Sequence, residues 1–261
     1  MDDGAFRRRI LQHWRTHGRH DLPWRTTSNP YAILLSEVML QQTQVDRVIP
    51  KYRLFLKTFP TFRALARAST RDVLGIWQGL GYNRRAVSLQ RCAQVVTQTY
   101  RGRVPKTYEA LIQLPGIGPY TAGALLAFAF NMPYPMIETN IRRVYLHHYF
   151  ADMSGVADAD LLPIIERTMD RRHPREWYWA LMDYGSVLAR RVPNPNRRSE
   201  HYVRQSKFEG SHRQLRGALV REALQGKKLV PAQLARKFRR PVAQVKTILA
   251  ELSREGLLAV Y

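Results

Sequence analysis

A chain of 261 residues can bury a real core, as one large domain or two to three small ones. Its 42 lysines and arginines against 20 acidic residues leave a net charge of +22, the electrostatic footprint of a protein that meets a polyanion, most often nucleic acid. One cysteine excludes an internal disulfide or a four-cysteine metal site, no segment approaches eighteen unbroken apolar residues, and the start Met1-Asp-Asp-Gly lacks a signal pattern.

The chain therefore reads as soluble and inside the cell, cytoplasmic or nucleoid-associated, with no membrane partner, and a monomer is expected. Its punctuation is helical almost throughout. Phe6, Ile10, Leu11 and Trp14 give residues 5–17 a helical spacing. Asp21–Arg25 is a loop, and Asn29-Pro30 marks the start of a helix over 31–44. Short helices follow over 61–68, 70–78 and 84–100, with Gly79 and Gly81 breaking the chain before the last. Pro105 and Thr107 open another over 107–113. Cys92 and tryptophans 24, 77, 177 and 179 read as packing residues.

The next stretch, Leu114-Pro-Gly-Ile-Gly-Pro-Tyr-Thr121, is the most informative one. Gly116 and Gly118 allow a tight hairpin, and Thr121 begins a helix to residue 130. A glycine hairpin feeding a helix N-terminus is a phosphate cradle, because unpaired N–H groups and the positive dipole end coincide. Glu138, some twenty residues on, would then sit close to a nucleic-acid backbone. Further helices are predicted over 141–149, 158–169 and 176–188. Residues 190–198, rich in proline, asparagine and arginine, look unsuited to a packed element. Helices over 213–224, 231–238 and 242–255 and a strand over 256–261 suggest a small winged-helix-like module. Residues 190–261 hold 17 lysines and arginines against 5 acidic residues, which suits a second DNA contact.

Glu37 lies among Leu34, Leu35, Val38 and Val45, on an apolar helix face. A carboxyl in such a setting has its pKa raised and can act as a general acid. Gln41, Gln42 and Thr43 follow directly, polar side chains suited to filling the gap left by an extruded base. No histidine pair has metal-ligand spacing, so no catalytic metal is expected.

Residues 20–150 resemble the helix-hairpin-helix DNA glycosylases, and specifically the adenine DNA glycosylases of the MutY type. The matching pieces are Leu22-Pro-Trp24, Ser36-Glu-Val-Met-Leu-Gln-Gln-Thr-Gln-Val45, Trp77-Gln-Gly-Leu-Gly-Tyr82 with Arg84-Arg85, Leu114-Pro-Gly-Ile-Gly118 and Tyr120-Thr-Ala-Gly123. Leu181-Met-Asp-Tyr-Gly185 extends the match to about residue 188. The Gln-Gln-Thr-Gln-Val string separates this branch from that of endonuclease III. The resemblance implies an all-α, two-lobed fold. A six-helix lobe would span 26–135 with the helix-hairpin-helix motif at 114–123, and a second lobe 1–25 plus 136–189. A basic linker at 190–206 and the winged-helix-like module at 207–261 would complete it.

The chemistry the resemblance implies is hydrolysis of the N-glycosidic bond of a mispaired, flipped base, in double-stranded DNA with a mismatch or damaged base. Glu37 would protonate the adenine ring, and Glu138 would stabilise charge developing on the sugar, oriented by Asn140. The family usually has aspartate where Glu138 stands, and glycine where Thr139 stands. The longer side chain leaves three outcomes open: a shifted backbone that keeps Glu138 competent, a pocket for another base, or a DNA-lesion binder. Tyr120 stands where bifunctional relatives carry a Schiff-base lysine, which favours a monofunctional enzyme. It does not choose between adenine and thymine or uracil opposite guanine. Tyr82 and Gln42 are candidates for wedging into the duplex. DNA contacts are further expected from Gln41, Thr43, Arg84, Gly116, Gly118, Thr121, Arg142, Arg143, Arg190 and Arg191. The resemblance allows a K+ or Na+ held by hairpin carbonyls near Gly116 and Gly118. The family's four-cysteine iron–sulfur loop has no counterpart between Ala189 and Arg213, so no cofactor is expected. A domain for recognising 8-oxoguanine is likewise not evident.

Overall fold

A computed structural model describes residues 2–258. They form fourteen α-helices in chain order. The first seven are α1 (Asp3–His17), α2 (Pro30–Leu40), α3 (Val45–Thr58), α4 (Phe62–Arg67), α5 (Thr70–Trp77), α6 (Arg84–Gln98) and α7 (Tyr108–Leu111). After them come α8 (Pro119–Phe130), α9 (Thr139–Tyr149), α10 (Asp158–Thr168), α11 (Pro174–Arg191), α12 (His212–Leu224), α13 (Pro231–Phe238) and α14 (Val242–Arg254). The helices begin where the sequence supplies an oxygen for the orphan N–H groups of a first turn. Asp2, Thr61, Ser69, Thr107, Glu138 and Ser211 each cap a helix with a side-chain acceptor. Among the described residues no helix is long and apolar enough to cross a membrane, and the one strand-like pairing is a parallel bridge between Val156 and Ser199.

The chain divides into two compact units, the first made of residues 1–34, 105–113 and 117–204. Its core is built around α11 and α9, with α1, α8 and α10 packed on them. Phe6 of α1 meets Tyr145, Tyr149 and Trp177 at centroid distances of 5.2–6.0 Å, mostly edge to face. A charged side chain inside this core, Asp183, is explained by its partners. Asp183 of α11 takes the Arg25 guanidinium at 2.7 and 2.9 Å and the Arg19 backbone N–H at 2.8 Å, binding the segment after α1 to α11.

The second unit holds residues 35–104, 114–116 and 205–261. Here α6 packs on α4 and α5, α3 packs on α5, and α12 joins α5 and α14. Trp77 and Cys92 are fully buried, and Trp24, Trp177 and Trp179 of the first unit are buried too, as packing residues should be.

Four local expectations change. The helix drawn over 31–44 stops at Leu40, because Gln42 turns into the left-handed region (φ 54°) and breaks the ladder. Residues 45–58, left without an element, form α3, in which Pro50 obscures a helix whose buried positions Val48, Tyr52 and Phe55 are correctly spaced. Residues 190–198 are not an open connector. The helix α11 runs to Arg191, and Pro195–Arg198 form a 3-10 turn capped by Asn194. Asn196 is buried there and donates to the Thr139 carbonyl at 3.1 Å, so the asparagines supply the hydrogen bonds that a packed turn needs. Of the strand expected over 256–261, Gly256–Leu258 form a turn and bend, and the rest lies outside the described residues.

Candidate active site

The carboxylate of Glu138 is the N-cap of α9. One of its oxygens, Oε1, accepts the N–H groups of Asn140 (2.6 Å) and Ile141 (2.9 Å), and Oε2 accepts the Asn140 side-chain amide at 3.3 Å. Burial pushes the carboxyl up from its ordinary range, while these donors and the charge of Arg143 pull it back. The helix dipole favours the ionised form at the same place. Arg143 is itself buried. Its Nη1 donates to Asn140 Oδ1 at 2.6 Å and to the Gly185 carbonyl at 2.9 Å. A chain of contacts thus runs from α11 through Arg143 and Asn140 to the carboxylate.

Gly185 explains why α11 can approach so closely: a Cβ there would lie 2.4 Å from the Asn140 carbonyl oxygen. Upstream, Tyr178 donates its hydroxyl to the Tyr134 carbonyl at 2.8 Å and accepts the Met136 N–H at 3.3 Å, which fixes the strand of chain leading to Glu138. Arg142, by contrast, is engaged by Asp158 through two hydrogen bonds of 2.8 and 2.6 Å.

In the second unit, Glu37 lies on the buried face of α2, 6% exposed, beside the buried Ser36 and Val38. The end of this helix is organised by Arg85. Its guanidinium donates to the carbonyls of Val38 (2.7 Å), Met39 (3.1 Å), Gln41 (2.7 Å), Leu80 (3.1 Å) and Gly81 (3.1 Å), and to Thr43 Oγ1 (3.2 Å). It also lies over the Trp77 and Tyr82 rings at 5.4 and 5.5 Å. Burial lowers this group to about 10, which leaves it charged at neutral pH. A cation over the last carbonyls of a helix complements the dipole. One side chain therefore fixes both the Gln41–Thr43 turn and the Gly79–Tyr82 turn.

At those turns, Gln42 and Tyr82 are exposed and both hold a positive φ, 54° and 47°. Such a conformation is uncommon outside glycine and directs attention to function. The side-chain amide of Gln205 donates to Gln42 Oε1 at 3.0 Å and to the Tyr82 hydroxyl, tying the two tips together.

The hairpin has the geometry its glycines suggest. Gly116 has φ +78°, and a Cβ there would meet Ser88 of α6 at 2.7 Å. Gly118 is the extended N-cap of α8, and a Cβ on it would meet nothing within 4 Å, so its face is open. Pro119 occupies the first turn, where its missing N–H costs nothing.

Of the other expected contacts, Arg84, Arg190 and Arg191 are exposed, Gln41, Thr43 and Tyr120 are half-buried, and Thr121 is buried. Thr121 and Arg143 are both buried, and Arg143 holds Asn140 and the Gly185 carbonyl. Arg85, Gly185, Gln205 and Asp183 had no assigned role in the sequence. Arg85 and Gly185 stood inside quoted motifs, but the sequence does not say which arginine of a pair turns inward.

The residues present do not fit an iron–sulfur cluster. Such clusters need several thiolates, whereas the one cysteine, Cys92, is buried in α6 with its thiol pushed up to about 12.

Comparison with known proteins agrees with this geometry. The profile of the HhH-GPD superfamily base excision DNA repair proteins matches residues 35–160. The adenine DNA glycosylase of Buchnera aphidicola subsp. Baizongia pistaciae is 38% identical over 70% of this chain and 53% of its own. That of Mycobacterium tuberculosis is 36% identical over 79% of this chain and 75% of its own. The solved structure of a thermostable thymine-DNA glycosylase, 29% identical, superposes with a TM-score of 0.65 over 72% of this chain and 87% of that one. The chain thus spans about half the length of the first curated relatives and three quarters of the mycobacterial one. From its helical fold, its hairpin and these similarities, the chain belongs to the adenine DNA glycosylase family of the HhH-GPD superfamily.

Proposed function

We propose that this chain is a monofunctional DNA glycosylase that removes a mispaired base, adenine opposite 8-oxoguanine or guanine, from double-stranded DNA. The observation that carries the reading is Glu37, a carboxyl buried on an apolar helix of a family member. A proton held there can pass to the ring nitrogen of a flipped adenine and make the base a better leaving group. The bond between base and sugar then breaks, water supplies the new C–O bond, and an abasic site remains. Glu138, with Asn140 keeping its carboxylate turned, stabilises the positive charge that grows on the sugar. Tyr120 offers no amine, so no Schiff base forms and the strand stays intact.

Gln42 and Tyr82 enter the duplex beside the extruded base, with Gln41 and Thr43 around them. The hairpin at Gly116 and Gly118 takes backbone phosphates on its N–H groups, with a K+ or Na+ on its carbonyls, and Arg84, Arg190 and Arg191 add phosphate contacts. The protein acts inside the cell as a monomer and without a cluster of its own.

A second reading, excision of thymine or uracil opposite guanine, is favoured by the likeness to the thymine-DNA glycosylase. Single-turnover excision on duplexes carrying A opposite 8-oxoguanine, A opposite G, and T or U opposite G decides between them. Alkali-dependent cleavage of the adenine duplexes is expected. Cleavage only of T or U opposite G would replace the first reading by the second. Tight mismatch binding without cleavage of any duplex would overturn both.

A further inference from the structure

The charges of the C-terminal helices are sorted by side. Among residues 231–250, which cover α13, the turn and most of α14, there are five basic residues and no acidic one. The carboxylates of this region are used elsewhere. Glu222 binds Lys227 (3.3 Å) and Lys237 (2.6 Å), and Glu251 binds Arg216 of α12 at 2.8 Å, where Glu255 joins it. Arg236, Arg239, Arg240 and Lys246 are left with no carboxylate partner among the described residues.

The arrangement of the helices matters as much as the charge. Helix α13 has eight residues and is capped at its C-terminus by Arg239, which adopts a left-handed φ of 51°, and α14 begins three residues later, after Pro241. Two helices joined by so tight a turn form the helix-turn-helix unit. Leu215, Leu219, Leu234, Val245, Ile248 and Leu252 bury its inner faces. The outer face of α14 shows Ala243, Lys246, Thr247 and Ala250, all exposed. Small side chains let a helix come close to base edges, and alanine and the threonine methyl suit the thymine methyl group.

We propose that residues 212–258 form a second duplex-DNA-binding site, in which α14 enters the major groove through Ala243, Lys246, Thr247 and Ala250. Arg236 and Arg239, at the end of α13 and in the turn, hold the flanking phosphates, as the first helix of such a unit does. Duplex DNA is the occupant because the face carries unpaired cations at its edges and uncharged small residues at its centre. The site adds a grip on undamaged DNA and is independent of base excision.

The test uses the full chain and a matched duplex of about 30 base pairs, with binding measured across a salt series. One variant combines Arg236→Ala, Arg239→Gly and Lys246→Ala, the glycine suiting the positive φ. A second is Ala250→Glu, which removes no cation but places a negative charge on the groove face. Thermal midpoints check that both fold. The triple variant should bind about thirtyfold more weakly or worse, and its log–log salt slope should fall by about 2 to 3. Ala250→Glu should lose at least about tenfold, and both should keep the wild-type single-turnover excision rate at saturating protein. Unchanged duplex binding and salt slope in both folded variants would overturn the proposal, as would a loss confined to single-stranded RNA. A wild-type protein that excises no base, with duplex binding still lost in the variants, would overturn only the glycosylase reading.

Discussion

At the scale of single residues, Glu138 sets stability against activity. Its carboxyl is pushed up by burial, so the folded protein prefers it protonated more than the unfolded chain does. A carboxyl raised on folding favours the native state fully below its unfolded pKa, and that benefit is lost as pH rises through the folded value. At neutral pH, where the unfolded chain ionises this glutamate, Glu138 is therefore a cost. Glu138→Gln should raise the urea midpoint at pH 7, with the gain disappearing in acid, and should lower single-turnover excision about a hundred- to a thousandfold. Equal midpoints at pH 7 would show that the capping bonds offset the burial. The glutamate is also built into its place, since Oε1 reaches the Asn140 and Ile141 N–H groups at 2.6 and 2.9 Å. An aspartate would end about one bond short of that position, and a displacement of about 1 Å can cost on the order of a hundredfold. Glu138→Asp should therefore slow excision rather than restore it. Faster excision by this variant would mean that the chain carries a weakened site.

At the scale of elements, the surroundings of Glu138 and the end of the helix that carries Glu37 are each held by one close fit. On the α9 side it is Gly185, where any Cβ must push Asn140 away. Gly185→Ala should destabilise the fold by about 1–3 kcal/mol, as overpacking does, and reduce excision about tenfold or more while leaving DNA affinity near wild type. On the α2 side it is Arg85, whose planar donors reach five carbonyls and a hydroxyl around one point. A lysine has the charge but not the fork. Arg85→Lys should lower unfolding free energy by about 2–4 kcal/mol, measured by urea titration, because buried carbonyls lose their donors. It should also weaken mismatch binding, since Gln42 and Tyr82 hang from the same hub. A variant with wild-type stability and binding would show that the turns hold themselves.

At the scale of the whole molecule, the sequence was most informative where one local rule acted alone. Helices with a clear start signal and a regular apolar face, Ser211 before α12 and Pro231 opening α13, fell within about one residue of their expected bounds. It was least informative where a distant group decides the outcome. The end of α2 depends on an arginine more than forty residues away, the packing of 195–198 depends on the Thr139 carbonyl, and α3 hides behind Pro50. Glu138 and Asn140 stand two residues apart and are legible together, but the link from Asn140 through Arg143 to the Gly185 carbonyl on α11 could not be read from spacing. The same long reach governs stability. The first unit gathers distant segments, and Asp183 ties its N-terminal part to α11 through Arg19 and Arg25. Burial alone would raise this carboxyl, but hydrogen bonds and charge from Arg25 and Arg19 hold it below its ordinary value. A carboxyl depressed on folding stabilises the native state above its unfolded pKa, about 3.9, and loses that effect as pH falls through the lower folded value. Asp183→Asn leaves the buried Arg25 without its counter-charge and should cost about 3–5 kcal/mol at pH 7. In acid the wild type protonates Asp183 and comes to resemble the variant, so the difference between their urea midpoints should shrink below about pH 4. A gap that stays constant from pH 7 down to pH 3 would show that Asp183 acts through shape rather than charge.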